Sequence, residues 1–299
     1  MKFGRSLLPL RVRQLVGPYI GYIIYRYHLL YKPKIHVLSI SETIHEVVSK
    51  KLSVIRFGDG EISSIADQDL LFQKKDTNLA SALEKILQVH HPQLLICIPP
   101  IWDSLDELTT DAFWFQIHHL FKYRKLWYSK LSTSYRYGNA FITRPYLLYK
   151  NKQKSQEHFS SLFSIWENRD VVLIEGSKSR LGVGNDMFKK TQSLQRILCP
   201  AENAYSHYDS IKLAALTIDT KKIILLSLGP TAKVLAYDLF LAGYQVLDIG
   251  HIDMEYEMFL RKEKRLTKIP FKYFSEINAR NPEECSDPTY LQQIIATIE

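Results

Sequence analysis

The chain has 299 residues, 46% of them apolar and 23% charged, a balance that excludes wholesale disorder and leaves ample core for one large domain or two small ones. Its three cysteines, Cys97, Cys199 and Cys285, are far apart and odd in number, which argues against a disulfide framework or a cysteine-rich zinc site and reads as a cytosolic chain. A formal net charge of +8 ordinarily points to nucleic acid or an anionic membrane, so where that charge sits decides its meaning.

Residues 1–41 hold seven basic residues (Lys2, Arg5, Arg11, Arg13, Arg26, Lys32 and Lys34) and no Asp or Glu, so the rest of the chain carries only +1. A nucleic-acid enzyme would spread its basic residues over a working face; here they collect in one N-terminal segment, and no nucleic-acid partner is expected. The segment is also apolar and Tyr-rich, yet its charge-free run, Gln14–Tyr25, would reach only ~18 Å as a helix against a bilayer core of ~30 Å. Pro18 and Arg26 interrupt it, and no small-x-small cleavage site follows to mark a signal peptide. Two readings stand. Residues 1–34 lie in the interface of an anionic membrane, or they form a helix packed on the protein's own core. The segment is taken as an appendage spanning 1–38, ahead of a domain spanning 39–299.

From there, apolar strand-like runs alternate with helical spacing. The first run, Val54–Phe57, leads into Arg56-Phe57-Gly58-Asp59-Gly60-Glu61. Two carboxylates two residues apart on a glycine loop can hold a hard divalent cation, and Arg56 can pair with a phosphate. The same residues also read as a turn followed by a helix start. Helical spacing follows at Asn78–Val89, a strand at Leu94–Ile98, a helix at Asp111–Leu126 and a strand at Ala140–Thr143. The adjacent pairs His90-His91 and His118-His119 read as surface or helix-end residues rather than ligands. The basic-aromatic stretch 122–128 reads as amphipathic packing.

The strand Val171–Glu175 opens a loop, Glu175-Gly-Ser-Lys-Ser-Arg180-Leu-Gly182-Val-Gly-Asn185-Asp186. Its glycines, serines and basic residues suit a phosphate or ribose cradle, although it is neither a P-loop nor a full dinucleotide fingerprint. A helix at His207–Ile218 precedes the strand Ile223–Leu228. Gly229-Pro230-Thr231 then starts the helix Thr231–Ala242 and offers its N-terminus to an anion. The strand Val246–Ile249 ends in Asp248-Ile-Gly-His251-Ile-Asp253-Met-Glu255-Tyr-Glu257, a cluster able to supply metal ligands or a general base. An acidic helix N-terminus with a solvated face would account for Glu255 and Glu257, but less well for His251 and Asp253. A short amphipathic helix near Tyr290–Ile298 closes the chain. Strands alternating with helices predict an α/β, Rossmann-like fold with a mostly parallel sheet covered on both faces, and ligands at the carboxyl ends of its strands.

The stretches RFGDGE (56–61), TRPY (143–146), EGSKSRLGVGND (175–186), LGPTAKVLAYDL (228–239) and DIGHIDMEYE (248–257) together resemble the GT-D-fold bacterial glycosyltransferases, over roughly residues 40–260. The resemblance implies a nucleotide-sugar-dependent hexosyltransferase that uses Mn²⁺ or Mg²⁺ and acts on bacterial surface glycans. It assigns the metal to Asp59 and Glu61. It makes Asp253 and Glu255 the candidate catalytic bases, while the strand-end loops give the nucleotide-sugar to Arg56, Gly58, Gly60, Arg180, Gly182, Asn185, Gly229 and Thr231 and add His251 to the catalytic group. Two departures, Ser177-Lys178 and Met258, leave the donor and acceptor open. The expected function is transfer of a hexose from a UDP-sugar to a surface glycan, glycoprotein or lipid-linked acceptor, by a peripheral protein at the cytoplasmic face of the membrane. The alternatives are a metal-dependent phosphohydrolase or nucleotidyltransferase, or a non-catalytic membrane-associated partner in glycan assembly.

Overall fold

The computed structural model describes residues 10–31, 34–277 and 279–299, and of residues 10–18, 28 and 31 only the backbone. Its centre is a nine-stranded sheet in the order β1-β4-β3-β2-β8-β7-β5-β6-β9, and every pairing is parallel. The strands are β1 (His36–Val37), β2 (Ser53–Arg56), β3 (Leu94–Ile98), β4 (Arg136–Asn139), β5 (Asp170–Gly176), β6 (Ser193–Cys199), β7 (Ile223–Ser227), β8 (Gln245–Asp248) and β9 (Ile294–Thr297). β3 and β7 are buried at every position and β5 at all but its first, as expected for central parallel strands.

The helices are α1 (Leu10–Tyr31), α2 (Ile40–Lys50), α3 (Asp59–Ile65), α4 (Thr77–Leu87), α5 (Thr110–Lys130), α6 (Ser155–Phe163), α7 (Tyr208–Ala215), α8 (Thr231–Leu241), α9 (Ile252–Leu260) and α10 (Pro288–Gln293). The connections β2→β3, β3→β4, β6→β7 and β7→β8 step one way across the sheet, whereas β1→β2, β4→β5 and β8→β9 step the other way. Right-handed crossovers therefore place α4, α5, α7 and α8 on one face and α2, α6 and α9 on the other. Packing agrees. α8 lies against α4 and α7, α2 touches α6, and Phe159 of α6 meets Tyr256 and Phe259 of α9 at ring-centroid distances of 5.0 and 5.2 Å.

Local chemistry sets the helix starts. Ser39 and Glu42 form a reciprocal capping box on α2, and Asp76 accepts from the N–H groups of Asn78 and Leu79 to start α4. Two expected elements are corrected. Ala140–Thr143 is a buried 3₁₀ turn, and the strand lies just before it. Asn139 accepts from the Phe141 N–H and turns the chain out of the sheet, so the apolar run serves packing rather than pairing. The expected terminal helix stops at Gln293, and the β-branched residues after it pair with β6 as β9. His90, His91 and His118 are exposed, as expected of surface residues, and His119 departs from that expectation. His119 is 4% exposed and accepts from the Trp127 indole N–H at 2.9 Å, and His90 stacks on Tyr135.

The N-terminal helix α1 meets α5 along one face. Gly21 sits against Ile117, where a Cβ would come within 3.1 Å, and Tyr25 is buried edge-on to Phe113. The Tyr25 hydroxyl donates to the Asp103 carbonyl and accepts from the Leu105 N–H. The other face of α1 leaves Tyr19, Ile20, Ile23, Tyr27 and Leu30 exposed. Among the described residues no helix is long and apolar enough to cross a membrane. Residues 1–9, with Lys2 and Arg5, lie outside the described residues.

Candidate active site

β2 and β8 are neighbours in the sheet, so the segments leaving their carboxyl ends, Arg56–Glu61 and Asp248–His251, lie side by side. Arg56 binds them together. Its backbone N–H and guanidinium reach the Asp248 carboxylate at 3.2 and 3.3 Å, its Nε donates to the Asp248 carbonyl at 2.8 Å, and its Nη1 donates to Thr143 Oγ1 at 2.7 Å. Gly250 has φ +47°, and a Cβ there would come within 2.2 Å of the Arg56 guanidinium, so this crossing requires glycine. Arg56 thus spends its donors on the protein rather than on an open phosphate position. Asp248 is 1% exposed; burial works to raise its carboxyl, but Arg56 and Lys233 overcome that and hold it below the usual carboxylate range.

Asp59 and Glu61 share the first turn of α3. Glu61 is buried, with Oε2 accepting from the Gly58 N–H at 2.8 Å and Oε1 paired to Lys233 Nζ at 2.9 Å. Asp59 is exposed, and among the described residues its carboxylate bonds only its own backbone N–H. Protein packed around it thins its hydration and, with the Glu61 charge, pushes its carboxyl above the ordinary value. Among the described residues no three His, Cys, Asp or Glu side chains converge as a self-sufficient metal site. The carboxylate pair nevertheless fits a Mg²⁺ or Mn²⁺ ion that takes its remaining ligands from phosphate and water, because Asp59 is uncommitted and each Glu61 oxygen keeps a second lone pair.

A shallow cleft opens over the carboxyl ends of four strands, and Glu61 is tied to its edge through Lys233, which donates to the Gly229 carbonyl. Its floor is Gly176 and Ser179 after β5, Ala201 and Asn203 after β6, Ser227 and Gly229 after β7, and His251 after β8. Phe72 and Tyr273 are its aromatic walls. Gly229 has φ +54°, and a Cβ there would come within 2.5 Å of the Phe72 ring. Both walls are pinned: the Asn203 N–H donates to the Phe72 carbonyl, and Tyr273 donates its N–H to the Lys178 carbonyl and its hydroxyl to Glu202. Burial, assisted by Arg144, Arg56 and Lys233, pushes His251 down to about 4, so its imidazole is neutral near pH 7.

The remaining residues singled out in the sequence have other surroundings. Asp253 is 2% exposed and accepts from the Gly182 N–H, Asn185 Nδ2 and Lys272 Nζ at 2.8, 2.8 and 2.7 Å. Asn185 also donates to Glu257. Arg180 donates to the carbonyls of Phe271 and Glu283. The loop after β5 is thus locked onto α9 and the C-terminal segment through Arg180, Gly182 and Asn185, and its Gly176 and Ser179 are the residues that reach the cleft. Glu255 is 4% exposed, and its Oε1 accepts from the N–H groups of Tyr146 and Leu147 at 2.8 and 2.6 Å. Burial raises its carboxyl, opposed by nearby Arg144. Glu255 and Glu257 are buried rather than on a solvated face. Thr231 is fully buried at the start of α8, its hydroxyl 3.5 Å from Gln73 Oε1. Gly60 lies under Leu70. Met258 is buried against Thr267, away from the cleft.

Sequence reasoning did not single out Lys233, Phe72, Gln73, Asn203, Tyr273 or the Arg144–Glu276 ion pair. Lys233 had one available signal, a lone cation in the otherwise apolar LGPTAKVLA.

Known proteins share this fold. The family described as "Glycosyltransferase GT-D fold" matches residues 54–277. Glycosyltransferase GlyD of Streptococcus pneumoniae serotype 4 is 38% identical over 266 residues, covering 88% of this chain and 33% of that protein. The probable glycosyl transferase Gly of Streptococcus gordonii is 38% identical over 267 residues, covering 89% of this chain and 39% of that protein. The chain therefore spans little more than a third of these curated relatives. A solved structure described as "The highly conserved domain of unknown function 1792 has a distinct glycosyltransferase fold" superposes with TM-score 0.87 at 34% identity, covering 93% of this chain and all of that one. Another, "A New Glycosyltransferase (DUF1792) from Streptococcus sanguinis", gives TM-score 0.85 at 36% identity, covering 89% of this chain and all of that one.

Proposed function

Because the chain belongs to the GT-D-fold glycosyltransferase family, we propose that its cleft takes a UDP-sugar and passes the hexose to a bacterial surface glycan, glycoprotein or lipid-linked acceptor. The observation that carries this reading is the cleft itself. It lies over four strand ends, has two fixed aromatic walls suited to a nucleobase, and is joined at Gly229, through Lys233, to Glu61 of the carboxylate pair. Mn²⁺ or Mg²⁺ held by Asp59 and Glu61 would supply charge neutralisation for the departing diphosphate. Ser227, Gly229 and the start of α8 offer hydrogen bonds and a positive dipole end to the same diphosphate. His251, being neutral, can hydrogen-bond the donor without adding charge. Arg56, Asp253, Arg180, Gly182 and Asn185 shape the site rather than touch the reactants.

The test is turnover of a panel of nucleotide-sugars with Mn²⁺, with and without a hexose-bearing acceptor. A UDP-hexose turned over faster with acceptor, and not at all after chelation, supports the reading. Donor turnover indifferent to acceptor and chelator overturns it.

Glu255 is the proposed base for the acceptor hydroxyl. Its raised carboxyl must be ionised to act, so the rate is lost as pH falls through a value above the ordinary glutamate range. Glu255→Gln keeps an oxygen for the Tyr146 and Leu147 N–H groups. It should lower kcat by about 100-fold while leaving UDP affinity unchanged, and, at saturating Mn²⁺ that keeps Asp59 ionised, should abolish the acid limb of the pH profile. An intact acid limb in the variant would assign the proton elsewhere.

The place of work proposed is the cytoplasmic face of an anionic membrane. The exposed face of α1 carries Tyr19, Ile20, Ile23 and Leu30 within a segment rich in Lys and Arg and free of acids. The paired change Ile20→Asp and Ile23→Asp should weaken sedimentation with phosphatidylglycerol vesicles by at least about tenfold and leave transfer to a soluble acceptor intact. Equal sedimentation of variant and wild type would contradict the membrane contact.

A further inference from the structure

Lys233 is 5% exposed, in the first turn of α8, and reaches the carboxylates at the end of the sheet where β2 and β8 meet. Its ammonium has three donors, and each has an acceptor: Glu61 Oε1 at 2.9 Å, Asp248 Oδ2 at 3.1 Å and the Gly229 carbonyl at 3.1 Å. The surrounding cluster holds four carboxylates, Asp59, Glu61, Asp248 and Glu276, against three cations, Arg56, Arg144 and Lys233. It therefore carries an excess of one negative charge. A divalent ion arriving alone would leave the cluster net positive beside an ammonium already seated on Glu61. A diphosphate arriving alone would deepen the negative excess. Arriving together, the ion and the two negative charges of a sugar-linked diphosphate offset each other and leave the cluster at its resting charge.

We propose that Lys233 is a resident counter-cation that holds Glu61 against a divalent ion arriving alone, so that the ion and the donor's diphosphate bind as a coupled pair. This rests on the reading of Asp59 and Glu61 as the ion's ligands. Lys233 is a positioning residue in this scheme. Its compact charge on a flexible stem can turn from Glu61 toward a phosphate oxygen while keeping Asp248 and the Gly229 carbonyl. The coupling makes an ion-loaded, donor-free enzyme scarce, and it links two ligands whose charges neither site accommodates by itself.

The experiment is Mn²⁺ titration followed by the electron paramagnetic resonance signal of free Mn²⁺, with and without UDP, on the full chain. In the wild type, UDP should raise Mn²⁺ affinity by roughly 5–150-fold. In Lys233→Met, Mn²⁺ without UDP should bind at least about tenfold more tightly, because a repelling charge is gone, and the enhancement by UDP should shrink. Lys233→Arg keeps the charge and should keep weak binding of the ion alone. Lys233→Gln, whose amide can still donate to Glu61 or Asp248, serves if the methionine variant does not fold, and Mn²⁺ should raise its melting temperature more than that of the wild type. A gain in affinity is a result that loss of structure does not produce. Unchanged or weaker Mn²⁺ binding in the uncharged variants, with the wild type binding normally, overturns the role of Lys233 alone. A wild type that binds no Mn²⁺ with or without UDP overturns the metal reading and this inference with it.

Discussion

Asp59→Asn should lower transfer by at least about 100-fold and leave the melting temperature nearly unchanged. The asymmetry follows from its surroundings. Asp59 is exposed and bonded to no other side chain among the described residues, so its replacement removes no contact that supports the fold. Its charge is nonetheless held where the fold resists it, with thinned hydration and the Glu61 carboxylate both working against ionisation. Arg144 offsets this only in part, and a divalent cation at this position would relieve the rest. Asparagine keeps the shape and a carbonyl oxygen but loses the charge. Glu61→Gln is a less clean probe, because Glu61 also anchors the Gly58 N–H and Lys233. Measurement of kcat/KM with saturating Mn²⁺, beside thermal melts, separates the two effects. Turnover within threefold of wild type would remove Asp59 from the reaction.

The strands that were legible in the sequence are those buried on both faces. VVLIE and IILLSL are unbroken because β5 and β7 have no solvent side. β6 escaped notice because Gln195 and Arg196 interrupt SLQRILC. Arg196 is 2% exposed, paired with Glu175 of the adjacent strand and bonded to Gln293, partners that no local pattern reveals. The same pair explains why Glu175 read as the start of a ligand loop when it is a structural carboxylate. At the site, the strand-end rule found Asp59, Glu61, Gly229 and His251, since topology alone brings carboxyl ends together. It could not tell which way a side chain leaves such a segment. Asp253 and Glu255 are two residues apart on one helix, yet Asp253 ends on Lys272 and Glu255 on the turn at Tyr146. The aromatic walls come from positions 72 and 273, and only the folded sheet makes them neighbours of one cleft.

Lys272→Met should be the most damaging single change to the fold, costing about 3–5 kcal/mol and lowering the melting temperature by roughly 10 °C. Lys272 is fully buried, and its ammonium bonds Asp253 at 2.7 Å and Glu257 at 3.1 Å. Methionine fills the volume but leaves Asp253 without its cation and Glu257 with only the half-exposed Arg261 at 3.2 Å. The pH dependence identifies the cause. In the wild type burial works to raise the Glu257 carboxyl, but Lys272 and Asn185 overcome it and hold it below the ordinary value. That contribution to stability is present above the unfolded pKa and lost as pH falls through the depressed folded one. In the variant the sign reverses. Burial of Glu257, no longer countered by Lys272, favours its protonated form in the folded state, so acidification from pH 7 to pH 5 should narrow the gap to wild type in urea melts. A gap constant with pH would mean lost packing rather than lost charge. Asp253→Asn added to Lys272→Met should recover part of the stability by removing one uncompensated charge, a non-additivity expected of groups in one network. Because Asp253 holds the loop whose Gly176 and Ser179 floor the cleft, the single variant should also raise the donor KM more than it lowers kcat. That split is expected of a lock that shapes the binding site without reaching the reacting atoms.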